Sequence, residues 1–433
     1  MFRQTSLYLL LVLFTPLLLQ GQTGDDIDAD ADSLVRGADD MLFDSTITDL
    51  KLPDSDDESS SLAEHHPSGW APELPAFRFR RRDLLGLQDS PPFILSYDRA
   101  DGLFLGLGGN TPLSFFRERR LQGYVGLGYS FGSHYWQVYG GLEKDFLTTE
   151  RPLRIGVEGH ILTDNQDAWK MGRGENTFAA LVAGVDTRDY FQRRGFSLSA
   201  QQFLTSRTAI KGEYRLDNYK NSRREVGWSL FGPEQPFREV APIREGRMQS
   251  FVVNVLADYM ALRSWDQGQM GLEAQAEFGS MDDDNFAQYV IDGVVKKSIV
   301  EQRLWLAVRA RLGVATGEAP PQKLFTIGGF GTLPGFPQNA LGGNRLLLLQ
   351  SDLLFSPFPK LGLRVILENN FGYTAMADSA AGFFEGMPED LSSFKYSPGI
   401  YIGSATGRLR LGFAFRTDIF ADPVFVMRVA QPF

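Results

Sequence analysis

The chain has no cysteine. Disulfides, thiolate metal sites, iron–sulfur clusters, thiol nucleophiles and a lipid anchor on a first mature cysteine are thereby excluded. Long apolar runs are missing too. Past the N-terminus no stretch offers the ~18 uninterrupted apolar residues of a membrane-spanning helix. The one run, Leu7–Leu19 behind Arg3, is about 13 residues long, too short to cross a bilayer as a helix. Residues 1–22 therefore read as a secretory signal peptide, with cleavage expected between Gly21 and Gly24. An exported chain without spanning helices is either soluble or a β-barrel.

Signatures of catalysis are also absent. There is no G-x-S-x-G elbow, no phosphate-binding G-x-x-x-x-G-K-(S/T) loop and no H-E-x-x-H helix. A hydrolase would have to be built on Ser133/His134 or His160/Asp164. Both histidines read more simply as a turn residue and a lumen-lining residue. No enzyme activity, metal, cofactor or nucleic-acid partner is expected.

Basic charge is scarce in one region only. Between Thr23 and His66 there are 14 acidic and two basic residues, a net of −12. The whole chain carries −10 and residues 1–22 carry +1, so residues 67–433 carry only +1. Residues 23–70 read as an acidic disordered segment, since such a composition repels itself and buries too little apolar surface to fold. Calcium binding there is the sharper alternative, but the EF-hand pattern is missing. The segment is also too short and too acidic for a stack of periplasmic domains. Residues 71–92 form a basic linker with Phe77-Arg78-Phe79-Arg80-Arg81-Arg82. That cluster suits either a membrane interface near lipid phosphates or a plain exposed linker.

What the chain does have is 34 Phe, 45 Gly and, from about residue 93, a period of two. Leu153, Ile155, Val157 and Ile161 oppose Arg154, Glu158 and His160. Leu272, Ala274, Ala276 and Phe278 oppose Glu273, Gln275 and Glu277. Leu409, Leu411, Phe413 and Phe415 oppose Arg408, Arg410 and Arg416. Strands of roughly 9–12 residues match a tilted bilayer crossing rather than a soluble sheet. Aromatics gather at strand ends (Tyr129, Phe131, Tyr135, Trp136) as in interfacial girdles. The fold class expected for residues 93–433 is all-β: a transmembrane antiparallel β-barrel of 12–16 strands, the number even but not fixed by the sequence. Its candidate strands include 102–109, 268–279, 300–313, 396–416 (one strand or two) and 423–433. Residues 163–192, 220–247, 280–298 and 374–394 read as longer external loops, with a short helix over a loop or a further strand at Glu175–Ala183 as alternatives. Arg303, Arg309, Arg311, Arg364, Arg408, Arg410 and Arg428 are expected in the lumen beside Glu158, Glu213, Glu273, Glu277 and Glu368, chiefly as structural charge pairs.

One segment is unlike a hairpin loop: Phe325-Thr-Ile-Gly328-Gly329-Phe-Gly331-Thr332-Leu333-Pro334-Gly335-Phe336, then Gly343-Asn344-Arg345. Its glycines permit positive φ and close backbone approach, so residues 325–345 can fold back into a confined space. The segment resembles the signature loop of the bacterial surface-antigen family, the barrel superfamily of BamA and TamA. Gly328, Gly329, Thr332, Leu333, Gly335, Phe336, Gly343 and Asn344 match in order, and about four closing strands follow. Tyr97–Gly106 and Asp186–Phe196 resemble stretches of the branch without periplasmic POTRA domains, and Phe433 resembles the family's C-terminal recognition end.

The resemblance implies a lumen loop that keeps the barrel plugged and a weak seam between first and last strands, placed at 102–109 and 423–433. It implies a function in protein or lipid insertion or translocation at the outer membrane. Partners would be outer-membrane lipid, the barrel assembly machinery and a client protein or lipid. The family's loop arginine is Pro334 here, and proline lacks a donor. Either Arg345 takes its place or packing alone holds the loop; the family's acidic partner corresponds to Asp352. A passive porin-like channel and an outer-membrane hydrolase remain the alternatives.

Overall fold

The computed structural model describes residues 93–429 except 113–120, 147–152, 205–207, 233–236, 258–268, 301–302, 359–361, 405–408 and 420. The expected signal peptide, acidic segment, basic linker and Phe433 lie outside the described residues.

Sixteen strands form one antiparallel sheet in chain order. The first eight are β1 (Phe93–Asp98), β2 (Gly102–Pro112), β3 (Leu121–Ser130), β4 (Tyr135–Phe146), β5 (Leu153–Asn165), β6 (Tyr190–Phe203), β7 (Ala209–Asn221) and β8 (Gly246–Ala257). Next come β9 (Gln269–Met281), β10 (Asp284–Val300), β11 (Leu304–Gly317), β14 (Arg345–Phe358), β15 (Leu363–Ala375), β16 (Lys395–Ser404), β17 (Leu409–Ala414) and β18 (Val424–Val429). Two short strands, β12 (Phe325–Ile327) and β13 (Leu341–Gly343), pair only with each other. One helix, α1 (Arg173–Ala183), interrupts the connection between β5 and β6.

The sheet is inside out by the standard of a soluble protein. Along β5, Ile155 and Val157 are exposed while Glu158 and His160 are buried. Leu107 is 60% exposed and Leu198 53%, whereas Glu213 and Asp352 are 0% exposed. Apolar surface left in water costs about 25 cal/mol per Å², and a continuous apolar wall of this kind belongs against hydrocarbon. No described helix is long and apolar enough to cross a membrane. Tyr129 packs on Phe131 and Trp136 at ring-centroid distances of 5.2 and 5.0 Å, an aromatic group at one rim.

The ends of the sheet meet at α1. Tyr97 of β1 and Val429 of β18 each donate a backbone hydrogen bond to this helix, to Thr177 and Glu175. Two acceptors two residues apart on one helix bring the first and last strands to the same place, so the sheet closes into a barrel. Among the described residues no ladder joins β1 to β18.

The strand count lies at the top of the expected range. The 396–416 segment is two strands, β16 and β17, and residues 93–98 form a strand ahead of 102–112. The seam therefore involves Phe93–Asp98, and residues 102–112 are the second strand. The expected loop 280–298 is instead β10, joined to β9 by the tight turn at Asp282-Asp283, where Asp282 has φ of 49°. Arg303, expected in the lumen, is exposed in the turn before β11, and Arg408 lies outside the described residues. The long connections 166–189, 222–245, 318–344 and 376–394 all follow odd crossings and emerge at one end of the barrel.

Candidate functional site: the plugged lumen and its seam

The inner wall is a set of close charge pairs. Arg193 bridges Asp164 and Asp217 at 3.2 and 3.0 Å, and Asp217 also meets His160 Nε2 at 2.9 Å. Glu213 accepts from Lys211 and Arg215 at 2.7 and 3.0 Å. Arg410 lies 3.0 Å from Asp352 and 2.9 Å from Glu368. Charges this deep persist only when paired.

Two of the long connections turn inward and pack against this wall. In the glycine loop, β12 and β13 pair with Phe325 opposite Gly343 and Ile327 opposite Leu341. Gly328, Gly329 and Gly331 have φ of 119°, 75° and 85°. Thr332 closes the turn: its Oγ1 accepts from the Gly328 N–H at 2.9 Å, and its own N–H donates to the Gly329 carbonyl. Leu333 is 0% exposed and packs in a cluster with Ile327, Phe336, Leu346 and Leu348. Pro334 is buried beside it. The Gly335 N–H donates to Ser397 Oγ at 2.8 Å. A Cβ there would stand 2.1 Å from the Phe415 carbonyl oxygen, so only glycine permits this approach. The Arg416 guanidinium lies 4.6 Å from the Phe336 ring centroid.

The second inward segment is 166–189. Trp169 sits under two guanidiniums, Arg311 at 4.2 Å and Arg309 at 5.2 Å from its ring centroid. Lys170 donates to Thr326 Oγ1 at 2.9 Å and Asn339 Oδ1 at 2.8 Å, tying one loop to the other, and pairs with Asp167. Burial pulls the Lys170 ammonium below its ordinary value, against the Asp167 carboxylate. Helix α1 ends at Gly184, whose φ of 68° and N–H bonds to the Ala179 and Ala180 carbonyls close the last turn.

Arg345 does not take the place of the missing loop arginine. It is fully buried and donates to the Ala315, Glu385 and Gly382 carbonyls, which fastens the 376–394 connection. Asn344 helps with reciprocal 2.8 Å bonds to Ala377. Asp352 faces Arg410. Lys323 and Gln350, not singled out in the sequence, hold the glycine loop instead. Lys323 donates to both carboxylate oxygens of Glu277 at 2.7 and 2.8 Å. Gln350 reaches the Gly331 and Thr332 carbonyls. A lone lysine beside the glycine motif was the available signal.

The two possible catalytic pairs are not assembled. Ser133 donates to Asp101, and His134 meets the Tyr129 hydroxyl at 3.2 Å on the surface. His160 is paired with Asp217 and Glu158, while Asp164 is held by Arg193. Among the described residues neither histidine has a serine as a hydrogen-bond partner. Among the described residues no cluster of His, Asp or Glu could hold a metal ion.

No protein-family model matches the chain, and no curated protein matches it. Solved outer-membrane barrels do. BamA from Haemophilus ducreyi lacking POTRA domains 1–3 aligns over 78% of this chain and 69% of its own, at 13% identity and a TM-score of 0.48. CdiB from Acinetobacter baumannii aligns over 76% of this chain and 57% of its own, at 11% identity and 0.41. CdiB from Escherichia coli aligns over 77% and 60%, at 12% identity and 0.40. The chain spans less than two thirds of either CdiB.

Proposed function

We propose that this chain is an outer-membrane barrel of the surface-antigen type that assists insertion or translocation of a protein or lipid. The observation that carries the reading is the wall itself. Among the described residues fifteen neighbouring strand pairs are hydrogen-bonded ladders in a 16-stranded sheet, and the sixteenth junction, β18 to β1, is not among them. Lipid cannot satisfy free strand edges, so such a junction is the weakest place in the wall and the natural lateral exit. The inward loops support the same reading, because segments 166–189 and 318–344 stand in the axial path and favour the side wall as the route. Outer-membrane lipid is then both solvent and partner, a client chain the cargo, and the barrel assembly machinery the route by which this barrel itself reaches the membrane.

The test is reconstitution. Vesicles carrying the purified chain should speed the folding of an unfolded outer-membrane barrel, or the transbilayer exchange of a fluorescent lipid, over empty vesicles. Equal rates in both assays, with the chain folded in the bilayer, would remove the proposal. A steady porin-scale conductance would replace it with the passive channel.

A further inference from the structure

We propose that α1 is a latch, a helical stave set in the seam between β1 and β18 that must withdraw before the wall opens. The proposal rests on the reading of that junction as a lateral exit.

A strand edge facing hydrocarbon leaves backbone donors without partners, and lipid offers none in return. Here α1 supplies the partners. The Glu175 carboxylate accepts the Val429 N–H at 3.1 Å and the Arg428 Nε and Nη2 at 3.1 and 3.2 Å. Thr177, two residues along, accepts the Tyr97 N–H of β1 at 3.3 Å. Arg173 reaches Ser96 Oγ, also on β1, at 3.0 Å. One stretch of helix thus holds both edges.

Its other side suits lipid. The segment carrying Trp228 and Phe231 lies along the helix C-terminus, with the Leu230 and Phe231 N–H groups donating to the Leu181 and Val182 carbonyls at 2.8 and 3.0 Å. Tyr97 donates its hydroxyl to the Trp228 carbonyl. Phe178, Trp228, Leu230 and Phe231 stay exposed, the last at 84%. The stave is apolar outside, and it meets the strands through these polar contacts and through Ala180 and Leu181 packed with Tyr97.

The attachment is that of a latch and not of a permanent wall. A strand in this place would form a continuous ladder with each edge. The helix offers each edge one side-chain acceptor for a backbone N–H, with one ion pair, Glu175–Arg428, the Arg173–Ser96 bond and a small apolar contact to Tyr97. Any strand that added to β1 would claim the Tyr97 N–H, so strand addition and the latched helix exclude each other.

The chain has no cysteine, so two introduced labels are the only ones. Spin labels at Leu95→Cys and Met427→Cys, both on the lipid-facing side, report the width of the seam in lipid nanodiscs. The otherwise unchanged chain should give one narrow distance distribution. Glu175→Ala with Thr177→Ala should shift it to longer, broader distances. The exchange Glu175→Arg with Arg428→Glu should return it toward the narrow form. A narrow, unmoved distribution in the double alanine variant would overturn the latch. Should that variant fail to fold, Glu175→Gln keeps the shape and weakens the tie, and unmoved distances there overturn the latch equally. No client enters this measurement. A seam that loosens while client folding in vesicles stays at the empty-vesicle rate removes the insertase reading and keeps the latch. An unmoved seam with accelerated client folding does the reverse.

Discussion

The Lys323 ammonium sits 2.7 and 2.8 Å from the two carboxylate oxygens of Glu277, so the entry to the glycine loop is bolted to the inner wall by a buried pair. Both side chains are at most 5% exposed. Removing one partner strands the other charge, which costs about 3–5 kcal/mol, whereas replacing both with apolar groups of similar volume is often neutral. Lys323→Met and Glu277→Leu should each lower the unfolding midpoint in urea, read by tryptophan fluorescence in detergent. The double variant should recover most of the loss. Equal losses that simply add would show that the pair does not couple.

Gly331 has φ of 85°, and a Cβ there would stand 2.0 Å from the Lys170 carbonyl oxygen. Backbone of one inward loop touches backbone of the other, with no room for a methyl group. The left-handed conformation alone costs a residue with a Cβ about 1–2 kcal/mol, and the contact adds to it. Gly331→Ala should therefore separate the two loops. Limited proteolysis from the long-loop side should cut 166–189 and 318–344 several times faster than in the parent, while the strands stay protected.

The apolar cluster of Ile327, Leu333, Phe336, Leu346 and Leu348 occupies part of the lumen where a channel would need water. In planar bilayers the intact protein should show at most brief, small openings. Deleting 328–340 and joining β12 to β13 by a short turn should produce a sustained conductance. A large steady current before the deletion would mean that the loops do not close the axis.

The alternation of the strands was legible because lipid and lumen impose opposite polarity on neighbouring residues. It failed where the lumen holds protein in place of water. The inward positions of β10 include Phe286 and Val290, and Val290 packs with Phe325 and Ile327. Apolar residues on both faces erased the period, and Asp284–Val300 passed for a loop. The glycine motif was legible through its unusual backbone demands. Its anchors were not, since Lys323 meets Glu277 across 46 residues and Lys170 meets Thr326 across 156. Nothing in local pattern announces such partners. The seam shifted by one strand because β1 has only the six residues Phe93–Asp98 before its turn.

Asp189 gathers three neighbours at the long-loop end: Arg99 and Arg238 at 2.7 Å and the Asn339 amide at 2.8 Å. Burial pushes its carboxyl up, but Arg238 and then Arg99 outweigh burial and hold it below the ordinary range. A depressed carboxylate contributes stability that is fully present above the unfolded value of about 4 and is lost as pH falls through the lower folded value. Between pH 8 and 5 the loops should not change. Below about pH 4 the 222–245 and 328–340 segments should gain hydrogen-exchange rate beyond the intrinsic pH dependence. Asp189→Asn should show that looseness already at neutral pH and little further acid response.

Leu198 stands near the middle of β6, 53% exposed, flanked by Val157 and Tyr214 on the neighbouring strands. On a soluble protein Leu198→Arg would cost little, because its charge would meet water. Near a bilayer midplane an outward arginine costs about 2–4 kcal/mol, falling toward zero at the interfaces. Folding titrations into vesicles should show a penalty of that size for Leu198→Arg and a smaller one for Leu103→Arg at the rim of β2. A reversed order, or no penalty at either site, would mean that the apolar face of the sheet is covered by something other than lipid.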